Sequence, residues 1–222
     1  MRGGGAPPAR RENTISEPGN AERGELEIAS ERVAWENKAA RLWIADVRLP
    51  GREKKTAEQF RLGPGAGHVD GVIVVPIDEA DRIILVRQFR HGVRMWMREL
   101  PRGSRNEGES PEQCAARELK EEIGYEANTF WPLGRIANDS AQLRSMPFVV
   151  AARVKPAGAA HPESTESIDA TYAYTFSELA RECASGTIVD SFTLCAFARL
   201  LPHFDGEVFS YRAGVVAGNA VR

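Results

Sequence analysis

The chain has 222 residues, with 29 basic and 31 acidic side chains and a formal net charge of −2. That length fits one domain with appendages, and the near-balanced charge gives no electrostatic case for non-specific binding of nucleic acid. Cys114, Cys183 and Cys195 follow no pairing pattern and predict reduced thiols in a cytoplasmic protein; no apolar run approaches the ~20 residues of a membrane span, and the arginines near the N-terminus lack the apolar segment of a secretory signal.

Residues 1–27, rich in Gly, Pro, Arg and Glu, predict a disordered tail. Residues 28–66 carry short apolar stretches around Leu49-Pro50-Gly51 and predict a small antiparallel sheet. Its prominent aromatics are Trp35, Trp43 and Phe60, and aromatics mainly bury area. The main domain is predicted over residues 67–204. Residues 72–75 and 83–86 are unbroken apolar runs of strand length with a turn between them. Strands buried on both faces fit a sheet sandwiched by helices. Arg87, Arg90, Arg94, Arg98, Arg102 and Arg105 follow. Their forks suit phosphate and carboxylate, so one or two could hold a substrate's phosphates. Taken singly, each arginine is more often solvated or neutralising a neighbour.

A helix is predicted from residue 111 to 123. Ser110 is an N-cap, Pro111 suits the first helical position, Gln113 completes a capping box and Gly124 supplies the stop. Glu118, Glu121 and Glu122 stand at i, i+3 and i+4, on one side. Ala115, Leu119 and Ile123 repeat every four residues and predict a buried stripe. Charge runs are usually solvated surface. Three carboxylates this close become tolerable with divalent cations between them, and magnesium takes carboxylates, waters and phosphates. Gly103, ahead of the helix, is read as a turn glycine that can aim a carbonyl at such an ion.

Residues 148–154 and 171–176 read as strands, and residues 177–184 as a short helix closed near Gly186. Asp190 caps a helix over residues 191–201, with Phe192, Leu194, Cys195, Phe197 and Leu201 as its inward stripe. Residues 205–222 read as a loose tail. Between the strands, His161-Pro162-Glu163-Ser164-Thr165-Glu166 forms a loop. His161 and His91 are poor ligands for a hard ion.

Gly103, Glu109 and the run from Arg117 to Tyr125 resemble the Nudix box, with every defined position filled. Residues 72–76, Arg87-Gln88-Phe89-Arg90 and Glu99-Leu100-Pro101-Arg102-Gly103 are similar to the Nudix branch of ADP-ribose and ADP-sugar pyrophosphatases. The likeness runs over residues 32–201. It implies an α/β/α sandwich around a mixed sheet, with an N-terminal antiparallel sheet that builds a homodimer and can stack on adenine. Glu118 and Glu122 are the implied metal ligands, assisted by Glu121 and by the backbone carbonyl near Arg102 or Gly103. Glu109 and Arg117 are implied as a bracing charge pair. Glu166, then Glu163, is implied as an added ligand or the base that deprotonates water. Arg90, Arg102 and Glu99 are the substrate-binding candidates. The branch usually has a Ser-Pro-Gly-like segment about fifteen residues past the box; here residues 136–143 hold neither proline nor glycine. Arg102 also stands where a small residue is common.

The expected function is Mg²⁺-dependent hydrolysis, with Mn²⁺ as substitute, of a nucleoside diphosphate linked to a group X. ADP-ribose would give AMP and ribose 5-phosphate. One rival is a non-catalytic sensor of ADP-ribose on the same fold, which commonly carries a degraded box. Another is an isomerase of allylic diphosphates, for which Cys114 would have to be placed as a catalytic group.

Overall fold

The computed structural model describes residues 19–20, 24–162 and 166–216. Most of the predicted tail, and Glu163, lie outside them. Two compact units are present. One holds Leu42–Arg61 and the described residues up to Trp35; the other holds Glu36–Arg41 and the described residues from Leu62 onward.

Glu27–Glu36 (β1), Ala40–Leu49 (β2) and Arg52–Pro64 (β3) form a three-stranded sheet in that order. Trp43, Ala45 and Val47 alternate along β2 and are buried, the period of a strand with one covered face. Ion pairs Arg48–Glu27 and Arg61–Glu31 and the Ser30 hydroxyl, donating to Asp46 at 2.8 Å, tie the strands together. Of the three aromatic candidates only Trp43 is buried; Trp35 is 51% and Phe60 46% exposed.

The second unit is built on a seven-stranded mixed sheet. His68–Ile77 (β4), Ile83–Arg90 (β5), Met95–Glu99 (β6), Arg102–Asn106 (β7), Tyr125–Arg135 (β8), Phe148–Pro156 (β9) and Ile168–Tyr174 (β10) supply it. The order is β10-β5-β4-β9-β8, with β6 on β5 and β7 on β4. Only β4 and β9 run parallel, from Val72 opposite Phe148 to Ile77 opposite Arg153. Each face has its own core. Val72, Val74, Ile84, Val86, Val150 and Ala152 pack under Cys114, Ala115, Leu119 and Ile123. Ile73, Val75, Ile77, Leu85, Val149 and Ala151 pack under Leu179, Ala196 and Leu200. The unbroken apolar runs have that cause: odd and even positions are both covered.

Pro111–Glu118 is α1, Phe176–Ser185 is α2 and Ser191–Leu200 is α3. Three expectations are corrected. The helix predicted to residue 123 is α-helical only to Glu118; Leu119–Ile123 is a π-helical turn closed by Gly124 at φ 69°. In α3 the fully buried residues are Thr193, Ala196 and Leu200; Phe192, Leu194, Cys195 and Phe197 of the predicted stripe do pack against the core, partly buried, and Leu201 is instead exposed. The small Ala196 and Thr193 lie closest to the sheet and the larger residues flank them. Residues 205–216 are not a loose tail. Phe204–Asp205 (β11) pairs with Val208–Phe209 (β12), and Phe204 and Phe209 are buried; Ala213–Val216 is a short helix, α4.

Candidate active site

The carboxylates are held by the end of α1 and the π turn. Ser110 accepts from the Gln113 backbone N–H at 3.2 Å, and the Gln113 side chain accepts from the Ser110 N–H at 2.8 Å, the capping box predicted from sequence. Cys114, Ala115, Leu119 and Ile123 are buried against the sheet. Cys114 is fully buried, its Sγ lies between the Ser104 carbonyl and Arg117, and burial pushes its thiol up to about 12, an environment that argues against the catalytic cysteine the isomerase rival needs.

Arg117 is the organiser. Its Nε donates to Glu109 at 3.0 Å, its Nη1 to Glu118 at 2.7 Å and Glu121 at 2.9 Å, and its Nη2 to the Ser104 carbonyl at 2.9 Å. Burial raises the Glu109 carboxyl, but the Arg117 hydrogen bond and the Asn106 N–H outweigh that and hold it below its ordinary value. The predicted bracing pair is therefore one arm of a four-way junction.

Glu118 and Glu122 are both buried; Glu121, in the π turn, is half-exposed and faces Arg117. Burial pushes Glu118 up to about 7, with Arg117 pulling it back and Glu121 and Glu166 pushing further. Burial, then the charges of Glu166 and Glu118, push Glu122 up to about 9. The Arg102 backbone N–H and Arg90 offset part of this, yet neither Glu122 oxygen has a hydrogen-bond partner. A buried carboxylate with bare oxygens beside two more carboxylates lacks a counter-charge. Oxygen-only donors fit a hard divalent cation. Among the described residues no three such side chains already converge on one point, since Glu118 is turned toward Arg117.

Gly103 is not in a turn; it lies within β7, opposite Val72. Its reason for lacking a side chain is steric. A Cβ there would fall 1.9 Å from Glu118 Oε1, and a Cβ on Gly71 would fall 2.3 Å from the Gly103 carbonyl oxygen. The backbone of β7 is thus pressed between β4 and a box carboxylate.

Glu166 is partly buried, and its charge reaches both Glu118 and Glu122. The approach to its loop is pinned: Ala157 N–H donates to the Gly124 carbonyl and His161 N–H to the Glu121 carbonyl, each at 2.8 Å. Just past it, Phe89 N–H donates to the Ser167 carbonyl at 2.9 Å. Of the six arginines, Arg90 and Arg102 meet a common group. Glu99, fully buried, accepts from Arg90 Nε at 2.7 Å and faces Arg102 Nη2 at 3.4 Å. Burial raises Glu99, and the two arginines partly counter it. The other arginines meet other groups: Arg87 pairs with Asp169, Arg94 is exposed beside His91 and Phe89, Arg98 donates to Tyr174 at 2.9 Å, and Arg105 to the Asp70 carbonyl at 2.8 Å. His91 and His161 are exposed.

Sequence reasoning missed the role of Gly71 and the contact of Phe192 with Arg102; Phe192 does pack on the core as its stripe predicted. The Arg102 guanidinium stacks on the Phe192 ring at 4.5 Å, and both line a cavity of about 150 Å³. The aromatic at the second position of a capped helix was the available signal, but its partner is 90 residues away.

A family model described as NUDIX domain matches residues 67–188. An ADP-ribose pyrophosphatase of Bacillus subtilis is 37% identical over 103 residues, 46% of this chain and 52% of that protein. An ADP-ribose pyrophosphatase of Mycobacterium tuberculosis is 35% identical over 156 residues, 67% of this chain and 70% of that protein. The chain spans about half the length of the first curated relatives it matches. A crystal structure of an ADP compounds hydrolase superposes with a TM-score of 0.67 at 17% identity, covering 86% of this chain and 96% of the other, which establishes the shared fold. Because the matched region takes in more than half of the chain and ends only after the box, the π turn and β10, the chain belongs to the NUDIX domain family.

Proposed function

We propose that the protein hydrolyses the diphosphate linkage of nucleoside diphosphate-X compounds, with ADP-ribose or an ADP-sugar as substrate and AMP and a sugar phosphate as products. The observation that carries this reading is Glu122, a buried carboxylate without a hydrogen-bond partner beside Glu118 and Glu166. Glu118 and Glu122, assisted by Glu121 and the Gly103 carbonyl, are the groups we assign to hold Mg²⁺, or Mn²⁺ in its place. The bound cation supplies charge neutralisation on the diphosphate and a lower pKa for the attacking water.

The chain's own residues do the rest. Arg117 holds Glu118 and Glu121 in register and limits their repulsion. Glu99 fixes Arg90 through Nε alone, which leaves both Arg90 Nη groups for phosphate oxygens. Glu166, on its pinned loop, takes the proton as the water oxygen bonds to phosphorus and the bridging P–O bond breaks. That proton then passes to solvent. The named activities of the relatives support the substrate class. The exposed Val33, Trp35 and Phe60 on the N-terminal sheet support a homodimer, which sedimentation at single-chain mass would rule out. Three free thiols support a cytoplasmic setting, checked by fractionation of the native host.

The test is product analysis with Mg²⁺ on ADP-ribose, ADP-glucose, GDP-mannose, NADH and nucleoside triphosphates, for wild type and Glu122→Gln. Release of AMP from ADP-ribose or ADP-glucose, lowered by orders of magnitude in Glu122→Gln, is the expected result. Glu166→Gln should slow turnover more than Glu163→Gln. Turnover unaffected by Glu122→Gln would sink the assignment. Nucleotide binding with no turnover of any compound would make the protein a sensor.

A further inference from the structure

We infer that the cavity beside Arg102 is a subsite for a second anionic group, a phosphate or carboxylate carried by the substrate in addition to its reacting diphosphate. This rests on the pyrophosphatase reading above and narrows its substrate class.

Ile73 lies opposite Arg102 and Val72 opposite Gly103. Ile73 belongs to the core beneath α2 and α3, Val72 to the core beneath α1. Successive strand residues point to opposite faces. Gly103 therefore meets Glu118 on the α1 side, and Arg102 issues on the α3 side, against Phe192. The diphosphate reacts where the box carboxylates are. Arg102 shares Glu99 with Arg90 but issues on the opposite face of β7, so the group it meets is a different part of the substrate from the one that reacts.

The lining is chemically selective. The Phe192 ring fixes the plane of the Arg102 guanidinium. The donors of that guanidinium are not exhausted: Nη2 reaches Glu99 only at 3.4 Å, and Nε is buried without a hydrogen-bond partner. Asp190, the other acid near Glu99, is committed to Thr193, accepting from its N–H at 2.8 Å and its hydroxyl at 2.7 Å. Ser104 and Ser145 also line the cavity, and their hydroxyls make no hydrogen bond among the described residues. A buried unpaired guanidinium N–H with two hydroxyls nearby is a set of donors, and its complement is a group rich in acceptors. At about 150 Å³ the space is smaller than the ~300–1,000 Å³ of a whole-ligand pocket. It takes one end of a substrate.

Two matched pairs test this and separate the sources of the charge. ADP-glucuronate against ADP-glucose places a carboxylate on X; NADPH against NADH places a phosphate on the adenosine ribose. We expect kcat/KM for the charged member to exceed that of its neutral partner at least about ten-fold in one pair, as an added charge-assisted hydrogen bond gives. Arg102→Met should bring that ratio close to one. Equal values within both pairs for an active wild type overturn the subsite, with no variant needed. A preference that persists in Arg102→Met removes it from Arg102. Turnover of ADP-ribose with hydrolysis of none of the four overturns the subsite alone; hydrolysis of neither ADP-ribose nor any of the four overturns the pyrophosphatase reading itself, and the subsite falls with it.

Discussion

Glu122 illustrates how a single residue trades stability for chemistry. Unfolded, its carboxyl titrates near the ordinary value of 4.5; folded, it holds its proton up to about 9. Between those values the folded state binds the extra proton, so the metal-free protein loses stability as pH rises from about 4.5 to 9. Glu118, raised to about 7, adds to the loss between about pH 4.5 and 7. Glu122→Gln removes the largest part. At pH 8 without metal the variant should be more stable than wild type, by on the order of a few kcal/mol, and the difference should vanish below pH 4.5. Thermal unfolding across pH in chelator reads it. Mg²⁺ should raise the wild-type midpoint more than the variant's; a flat wild-type profile would contradict the burial of an uncompensated carboxylate. Gly103 gives a second residue-scale prediction. In Gly103→Ala the new Cβ meets the end of the Glu118 side chain, which can swing away at little cost. Turnover should fall at least ten-fold while the unfolding midpoint moves little. Loss of both together would make the position a folding determinant only.

At the scale of elements, β4, β7 and the end of α1 act as one clamp. Gly71 permits β7 to approach β4, since a Cβ there meets the Gly103 carbonyl oxygen at 2.3 Å. That neighbour is backbone, and paired strands cannot yield as a side chain does. Gly71→Ala should therefore destabilise by about 1–3 kcal/mol as well as lower activity, opposite in pattern to Gly103→Ala. Equilibrium denaturation of the two variants side by side reads the contrast. What sequence could show follows the same division. The capping box, the buried stripe and the apolar runs were legible because each depends on local spacing. The π turn was not, because helix periodicity is written for 3.6 residues per turn; nor was strand β7, where Gly103 reads as a turn until Glu118 is seen above it. Arg90, Glu99 and Arg102 were named through the family resemblance, and the hydrogen-bonded convergence on Glu99 was not readable from the residues alone, where they are three members of a dense basic stretch. Which two of six converge depends on how β5, β6 and β7 pair, and pairing between elements is not encoded in their individual patterns.

The C-terminal end of the second unit bears on the molecule as a whole. Residues from 205 onward lack the periodicity of a long element, which is why they read as a tail. Instead the β11–β12 hairpin closes the core on the side away from the carboxylates. Phe204 stacks on Phe176 at 4.4 Å between ring centres, and Phe209 packs on Trp131 at 5.0 Å. The turn back is fixed by polar contacts: the Tyr211 hydroxyl donates to the Pro132 carbonyl at 3.2 Å, and Arg212 N–H donates to His203 Nδ1 at 3.0 Å. Burial and Arg212 keep the His203 ring below its ordinary pKa, consistent with a neutral ring accepting at Nδ1. Phe209→Ala should then cost about 3–5 kcal/mol, a large share of the roughly 5–15 kcal/mol that a domain has. The loss should appear in unfolding midpoint rather than in catalysis. At a temperature where the variant is folded, its kcat on the best substrate should stay within a few-fold of wild type, because the hairpin's phenylalanines belong to the core beneath α2 and α3, on the sheet face opposite α1. A Phe209→Ala protein as stable as wild type would mean the hairpin is held only by its ends, and that the α2–α3 core is complete without it.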